Sequence, residues 1–116
     1  MKSIETINGR IYFVATVNAL RCNTKNGLLK EFADCFDFPG YFGNNLDALD
    51  ECMRDLAWLQ EKNYKIIVRN MPVLKKKNIK QANQLEEYLN FYKDYWDAEK
   101  KRLKSDLENE FIVEYE

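Results

Sequence analysis

Positions 40–56 of the chain read GYFGNNLDALDECMRDL, and this stretch decides how the rest of the sequence is interpreted. It begins as a glycine-containing loop and continues with helix signals. Asn44 or Asn45 can cap a helix, because a short side-chain oxygen accepts hydrogen bonds from the free N–H groups of the first turn. Apolar residues then recur at intervals of three and four positions, at Leu46, Leu49, Met53 and Leu56. This spacing predicts a helix with one buried face.

A second face of the predicted helix is charged. Its charged residues are Asp47, Asp50, Glu51, Arg54 and Asp55. If the helix continues far enough, Trp58 falls near the line from Asp47 to Arg54. Carboxylates exposed beside an aromatic ring favour an acidic docking surface. A solvated helix face without a binding role is the alternative, and periodicity alone favours that alternative.

The residue identities add a family resemblance. A family signature is found at positions 39–49, which read PGYFGNNLDAL and are followed by Cys52 and Met53. These residues resemble the signature of the barstar family. Members of that family are small intracellular inhibitors of barnase-type ribonucleases. Upstream, the apolar positions of the family's first helix correspond to Leu28, Phe32, Phe36 and Phe38. Downstream, residues 54–59 and 66–70 resemble the end of the second helix and the second strand. The resemblance covers most of the chain from about Val14 onward and weakens after Lys75.

The resemblance implies roles for individual residues of the loop and the helix. Tyr41 corresponds to an aromatic contact at the head of the loop, Gly43 to a glycine of close approach, and Asn45 to the first residue of the helix. Asp47 and Glu51 correspond to two carboxylates that meet the arginine, lysine and histidine of the enzyme. The partner-binding surface is therefore expected on this loop and helix.

Positions on the last helix and at the end of the acidic face qualify the resemblance. It implies a second acidic contact on the last helix at Asp94, with Asp97 as the competing position. The best-known member of the family has tryptophan where this chain has Asp50, and aspartate where this chain has Glu51. The first difference removes an apolar contact and adds a charge, and the second lengthens the side chain by one methylene. Because specificity is a difference of affinities, we expect a related but not identical partner.

Length and composition predict one globular domain over residues 1–116, with residues 1–10 as an N-terminal extension of the family pattern. Apolar residues make up 46% of the chain, yet no apolar run is long enough to span a membrane, and the first residues do not resemble a signal peptide. The chain has three cysteines, without metal-ligand spacing, and no histidine. We therefore expect reduced thiols, a cytoplasmic location, no metal site and no catalytic nucleophile.

Charge is segregated along the sequence. Residues 31–61 contain eight carboxylates and one base, a net charge of −7, so the remainder carries +6. Such a segment projects a negative field that can steer a basic partner, and it would repel the phosphates of a nucleic acid.

The order of the predicted elements gives the fold class. Asn8 and Gly9 form a two-residue hairpin signal, so residues 1–10 can add an antiparallel edge strand. Strands are predicted at residues 11–17, 64–69 and 110–115, and further helices at residues 27–36 and 81–104. The lysine-rich stretch at residues 75–80 is predicted to be a loop. We expect an α/β, barstar-like domain in which helices pack on one face of a small, mostly parallel three-stranded sheet.

These observations favour a protein inhibitor of a ribonuclease, either barnase-type or a related toxin nuclease, rather than an enzyme. The inhibitor would protect the cell that makes it by placing the acidic helix and loop in the basic active site. We expect no cofactor, no direct contact with nucleic acid or membrane, and a monomer when the protein is unbound.

Other classes of function remain open. The chain could be a barstar-fold interaction or regulatory module whose partner is not a nuclease, since fold alone does not fix function. It could also be an RNA-associated protein that acts through the four lysines between Lys75 and Lys80, although no aromatic residue is interleaved with them. A carboxylate hydrolase or metal enzyme using Asp47, Asp50 and Glu51 is disfavoured, because a glycine-rich phosphate loop and histidine are both missing from the sequence.

Overall fold

The computed structural model describes residues 1–40, 43–104 and 108–116. In chain order its elements are β1 (Lys2–Ile7), β2 (Arg10–Asn18), a 3-10 turn (Ala19–Cys22), α1 (Lys25–Cys35), α2 (Leu46–Met53), β3 (Asn63–Arg69), α3 (Met71–Lys77), α4 (Ile79–Leu103) and β4 (Phe111–Tyr115). The strands β2, β3 and β4 and the helices α1 and α4 confirm the predicted elements to within about two residues.

Within the described residues the sheet has four strands in the order β1-β2-β3-β4. The expectation of three strands is therefore wrong by one strand, and the sheet is mixed. β2, β3 and β4 are parallel, whereas β1 pairs antiparallel with β2. The reason lies in the turn, where Asn8 and Gly9 have φ values of 51° and 80°, so Ile7 pairs directly with Arg10. Two left-handed residues in succession make the type I′ geometry that folds residues 2–7 back onto β2.

One face of the sheet carries the core. Inward-facing residues of the strands, such as Phe13, Ile66 and Phe111, belong to one buried cluster to which every helix contributes. The buried helical residues in this cluster include Phe32 of α1 and Leu49 of α2. Because the parallel strands follow one another across the sheet, right-handed crossovers place their connecting helices on the same side.

The second helix is shorter than the apolar spacing predicts. α2 ends at Met53, and Leu56 takes a left-handed conformation with φ of 52°. Trp58 therefore lies beyond the helix, and its predicted alignment with Asp47 and Arg54 is wrong. Its indole Nε1 instead donates a hydrogen bond to the Phe36 carbonyl at 2.9 Å. The ring thus holds the loop after α2 against the end of α1.

The predicted lysine-rich loop is also wrong, because residues 71–77 form the helix α3. Pro72 occupies the first turn, where proline is tolerated because that N–H has no helical partner. Lys75 pairs with Glu86 of α4 at 2.8 Å, and Asn78 accepts from the Gln81 N–H to begin α4. Lysines in the last turn are favoured by the helix dipole.

Candidate protein-docking site

The first turn of α2 is fixed by Asn45. Its side-chain oxygen accepts a hydrogen bond from the Ala48 N–H at 2.8 Å, and its amide nitrogen donates to the Gly43 carbonyl at 3.2 Å. A Cβ atom added at Gly43 would lie 3.2 Å from that amide nitrogen, which is a tight contact. Gly43 is thus packed closely against Asn45, and these contacts join it to the first turn of α2.

Asp47 and Glu51 are exposed on α2, one helical turn apart. Neither forms an ion pair with any cation in the part of the chain that the structure describes. Asp47 lies in the first turn, where the helix dipole favours a negative charge. Two carboxylates at this spacing can meet two cations of a single partner.

Asp50 has a different environment from these two carboxylates. It is half-buried, and the Tyr92 hydroxyl of α4 donates a hydrogen bond to its Oδ1 at 2.7 Å. Burial, followed by this hydrogen bond and the nearby Asp50 charge, raises the pKa of Tyr92 well above its ordinary value. Asp50 therefore ties α2 to α4.

Two more contacts fasten the end of α2 to the same helix. The buried Trp96 indole donates to the Met53 carbonyl at 2.8 Å, which satisfies one of the free carbonyls at the end of α2. The Arg54 guanidinium lies 5.9 Å from the centroid of the Tyr95 ring, within cation–π range. The orientation of the acidic helix is thus set by side chains of α4.

The structure does not bring every predicted site residue together. Asp94 is exposed on α4, and helical periodicity places it on the side away from Leu89, Tyr92 and Trp96, which are buried. Asp97, the competing position, is half-buried and contacts Lys93 at 3.4 Å. Tyr41 lies outside the described residues. The set that α2 and its preceding loop bring together is Gly43, Asn45, Asp47, Asp50 and Glu51.

Sequence reasoning missed the role of Tyr92. Its spacing from Leu89 and Trp96 indicates a core position, which burial confirms. The signal that could have found its role is chemical, because a buried tyrosine hydroxyl needs a hydrogen-bond partner. Asp50 supplies that partner from a helix more than forty positions earlier in the chain.

The thiols are poorly suited to nucleophilic chemistry. Cys22, Cys35 and Cys52 are free and buried. Burial, assisted by the Glu31 charge, raises the pKa of Cys22 to about 12. The pKa of Cys52 is also raised, first by burial and then by the charges of Asp55 and Glu51. A thiolate is the reactive form, so all three thiols stay largely inert at neutral pH.

Two features are absent from the described residues. Histidine, cysteine and carboxylate side chains in residues 1–40, 43–104 and 108–116 form no group of three that could hold a metal ion. Over the same ranges, no helix combines the length and the apolarity needed to cross a membrane.

The fold and the site define a class: a small α/β protein with a side-chain-capped helix that carries exposed carboxylates. The chain belongs to the barstar family, because the family model described as "Barstar (barnase inhibitor)" matches residues 12–108 of its 116 residues. Proteins of this family are inhibitors rather than enzymes. No curated protein matches the chain in a sequence comparison.

Proposed function

We propose that this protein inhibits a ribonuclease, either barnase-type or a related toxin nuclease, by inserting α2 and its preceding loop into the basic active site. It would act in the cytoplasm of the cell that makes it, where its free thiols stay reduced, and would protect that cell from the nuclease. The family membership supports an inhibitory role of this kind.

The observation that carries the proposal is the pair Asp47 and Glu51. Both carboxylates are exposed, and neither has a cationic partner among the described residues. A ribonuclease active site is basic because it binds phosphates. Carboxylates held on a rigid helix can occupy those phosphate positions and exclude RNA by competition.

Positions 50 and 51 bear on the choice of partner. Asp50 is engaged by Tyr92, so its carboxylate is directed toward α4 rather than freely toward a partner. Glu51 is one methylene longer than the aspartate that the resemblance leads one to expect. We therefore propose that the partner is related to barnase but differs from it where these two residues meet the enzyme.

The experiment is a titration of the purified protein into a barnase-type ribonuclease assay. The Asp47→Ala/Glu51→Ala variant is titrated in parallel. Asp34→Ala/Glu114→Ala serves as the matched control, because it removes two exposed carboxylates from α1 and β4 and changes the net charge equally. We expect stoichiometric inhibition by the unchanged protein and by the control, and loss of inhibition in the α2 variant.

Two results would count against the proposal in different ways. Inhibition that survives in the α2 variant would mean that another surface blocks the enzyme. No inhibition by the unchanged protein at micromolar concentration would remove barnase-type nucleases as partners. The target of the acidic helix would then be either a related toxin nuclease or, for a barstar-fold module, a partner that is not a nuclease.

A further inference from the structure

The geometry points to a second half of the docking surface on α4: an aromatic strip, formed by Tyr88, Phe91 and Tyr95, in which Tyr88 and Phe91 receive arginine or lysine side chains from the rim of the ribonuclease's basic cleft. This inference rests on the proposed function and names the chemistry of the contacts beside the acidic helix.

The strip is exposed but rigid. Phe91 leaves 51% of its surface exposed, and Tyr88 and Tyr95 are half-buried. Each ring rests on a buried aromatic neighbour of the same helix. The ring centroids of Tyr88 and Phe91 lie 6.5 and 5.8 Å from that of Tyr92, and the Tyr95 centroid lies 5.3 Å from that of Trp96. A partner would therefore meet rings that lose little side-chain freedom on binding.

The strip is continuous with the acidic helix. Tyr92, beneath Tyr88 and Phe91, hydrogen-bonds to Asp50 of α2. Tyr88 and Leu46 line the same small cavity, of about 130 Å³, at the junction of α1, α2 and α4. Helical periodicity places Asp50 on the side of α2 nearest to α4, Asp47 further from α4, and Glu51 furthest from it. One partner surface can thus cover the rings and the carboxylates together.

The charge of the surface around the strip indicates which side chains of a partner would bind there. The face of an aromatic ring attracts cations, and the chain already places its own Arg54 guanidinium 5.9 Å from the Tyr95 centroid. Because the Arg54 guanidinium already contacts the Tyr95 ring, Tyr88 and Phe91 are the rings available to a partner. The exposed carboxylates of Asp47 and Glu51 lie on the adjoining helix and strengthen the attraction for a basic surface.

The test measures the dissociation constant of the complex with a barnase-type ribonuclease for three substitutions at Phe91. Phe91→Ala removes the ring, Phe91→Leu keeps an apolar side chain without a ring, and Phe91→Tyr keeps the ring. Leu103→Ala is the matched control, because Leu103 lies on the same helix and also leaves 51% of its surface exposed.

We expect Phe91→Ala and Phe91→Leu each to weaken binding by about three- to tenfold, the loss of one cation–π contact, while Phe91→Tyr and Leu103→Ala bind normally. Normal binding by Phe91→Ala overturns the inference while leaving the proposed function in place. Normal binding by Phe91→Leu alone overturns the cation–π chemistry in favour of plain apolar contact. No binding by the unchanged protein excludes barnase-type ribonucleases as the target and overturns the inference drawn for them.

Discussion

The helices α2 and α3 are similar in size and opposite in charge. They have eight and seven residues, each begins after an asparagine, and each is tied to α4 by a side chain. In α3 the charges suit the helix: its lysines lie in the last turn, where the dipole favours cations, and Lys75 pairs with Glu86.

In α2 the arrangement is less favourable for the helix itself. Asp47 suits the first turn, but Glu51 lies near the C-terminal end, where the dipole disfavours a negative charge. No base lies in the last turn of α2. The Glu51 charge is therefore not explained by the stability of its own helix, which agrees with the binding role proposed for it, whereas the charges of α3 are explained by the fold alone.

The largest difference between the two helices should appear on charge reversal. We expect Asp47→Lys/Glu51→Lys to weaken inhibition of a barnase-type ribonuclease by at least about a hundredfold, because two charge-assisted hydrogen bonds of about 1.5–3 kcal/mol each become repulsions. Lys76→Glu/Lys77→Glu on α3 should leave the dissociation constant unchanged. Equal losses in both variants would show that only the overall charge matters, and the distinction between the helices would fail.

The next difference concerns how each helix is fastened to α4. Tyr92→Phe should lower the free energy of unfolding by about 1–2 kcal/mol, since the half-buried Asp50 carboxylate loses its donor. Lys75→Ala should cost less than about 0.5 kcal/mol, because both partners of that ion pair are partly exposed. Urea unfolding at pH 7 measures both. A larger loss in Lys75→Ala would reverse the comparison.

The contact between Tyr92 and Asp50 should also weaken at alkaline pH. Because the pKa of Tyr92 is raised in the folded protein, the stabilisation is complete below the ordinary tyrosine pKa of about 10 and is lost as the pH rises toward the raised value. The advantage of the unchanged protein over Tyr92→Phe should therefore shrink by about 1 kcal/mol by pH 11. An advantage that is constant up to pH 11 would contradict the raised pKa.

The smallest difference lies in the asparagines that precede the two helices. Asn45 caps α2 with its side chain, whereas Asn70 has no capping hydrogen bond and takes a left-handed backbone with φ of 66°. Serine caps helices well but is less suited to a left-handed backbone. We expect Asn45→Ser to stay within about 0.5 kcal/mol of the unchanged protein, and Asn70→Ser to lose about 1 kcal/mol in thermal unfolding. The opposite order would mean that the two positions have been assigned the wrong roles.

Much of the fold was predictable because long segments carry strong periodic signals. The stripe Leu85, Leu89, Tyr92 and Trp96 defines α4, and the run of β-branched and aromatic residues after Asn8 and Gly9 defines β2. α3 was missed because a proline and a run of lysines are typical of loops. It forms a helix since Met71 and Leu74 are buried against the core, which local sequence does not reveal.

The candidate site was also predictable only in part from the sequence. Periodicity along α2 is enough to place Asp47, Asp50 and Glu51 away from its buried stripe. It cannot separate Asp50 from the other two, because the partner of Asp50 is Tyr92 on α4. The rotation of one helix against another is set by tertiary packing, so contacts of this kind follow only from the assembled structure.

The sheet joins two kinds of strand pairing with different consequences for the order of folding. β1 and β2 are joined by a two-residue turn, whereas Tyr12 of β2 pairs with Asn63 of β3, which requires a loop of about fifty residues to close. Hairpins form within about 1–10 μs, while distant pairings are slow because chain entropy is lost before contacts are gained. In pulsed hydrogen exchange during refolding, amides of the β1–β2 hairpin should become protected before those between β2 and β3. The segment that precedes the family match would then be ordered, as part of the hairpin, before the parallel sheet assembles.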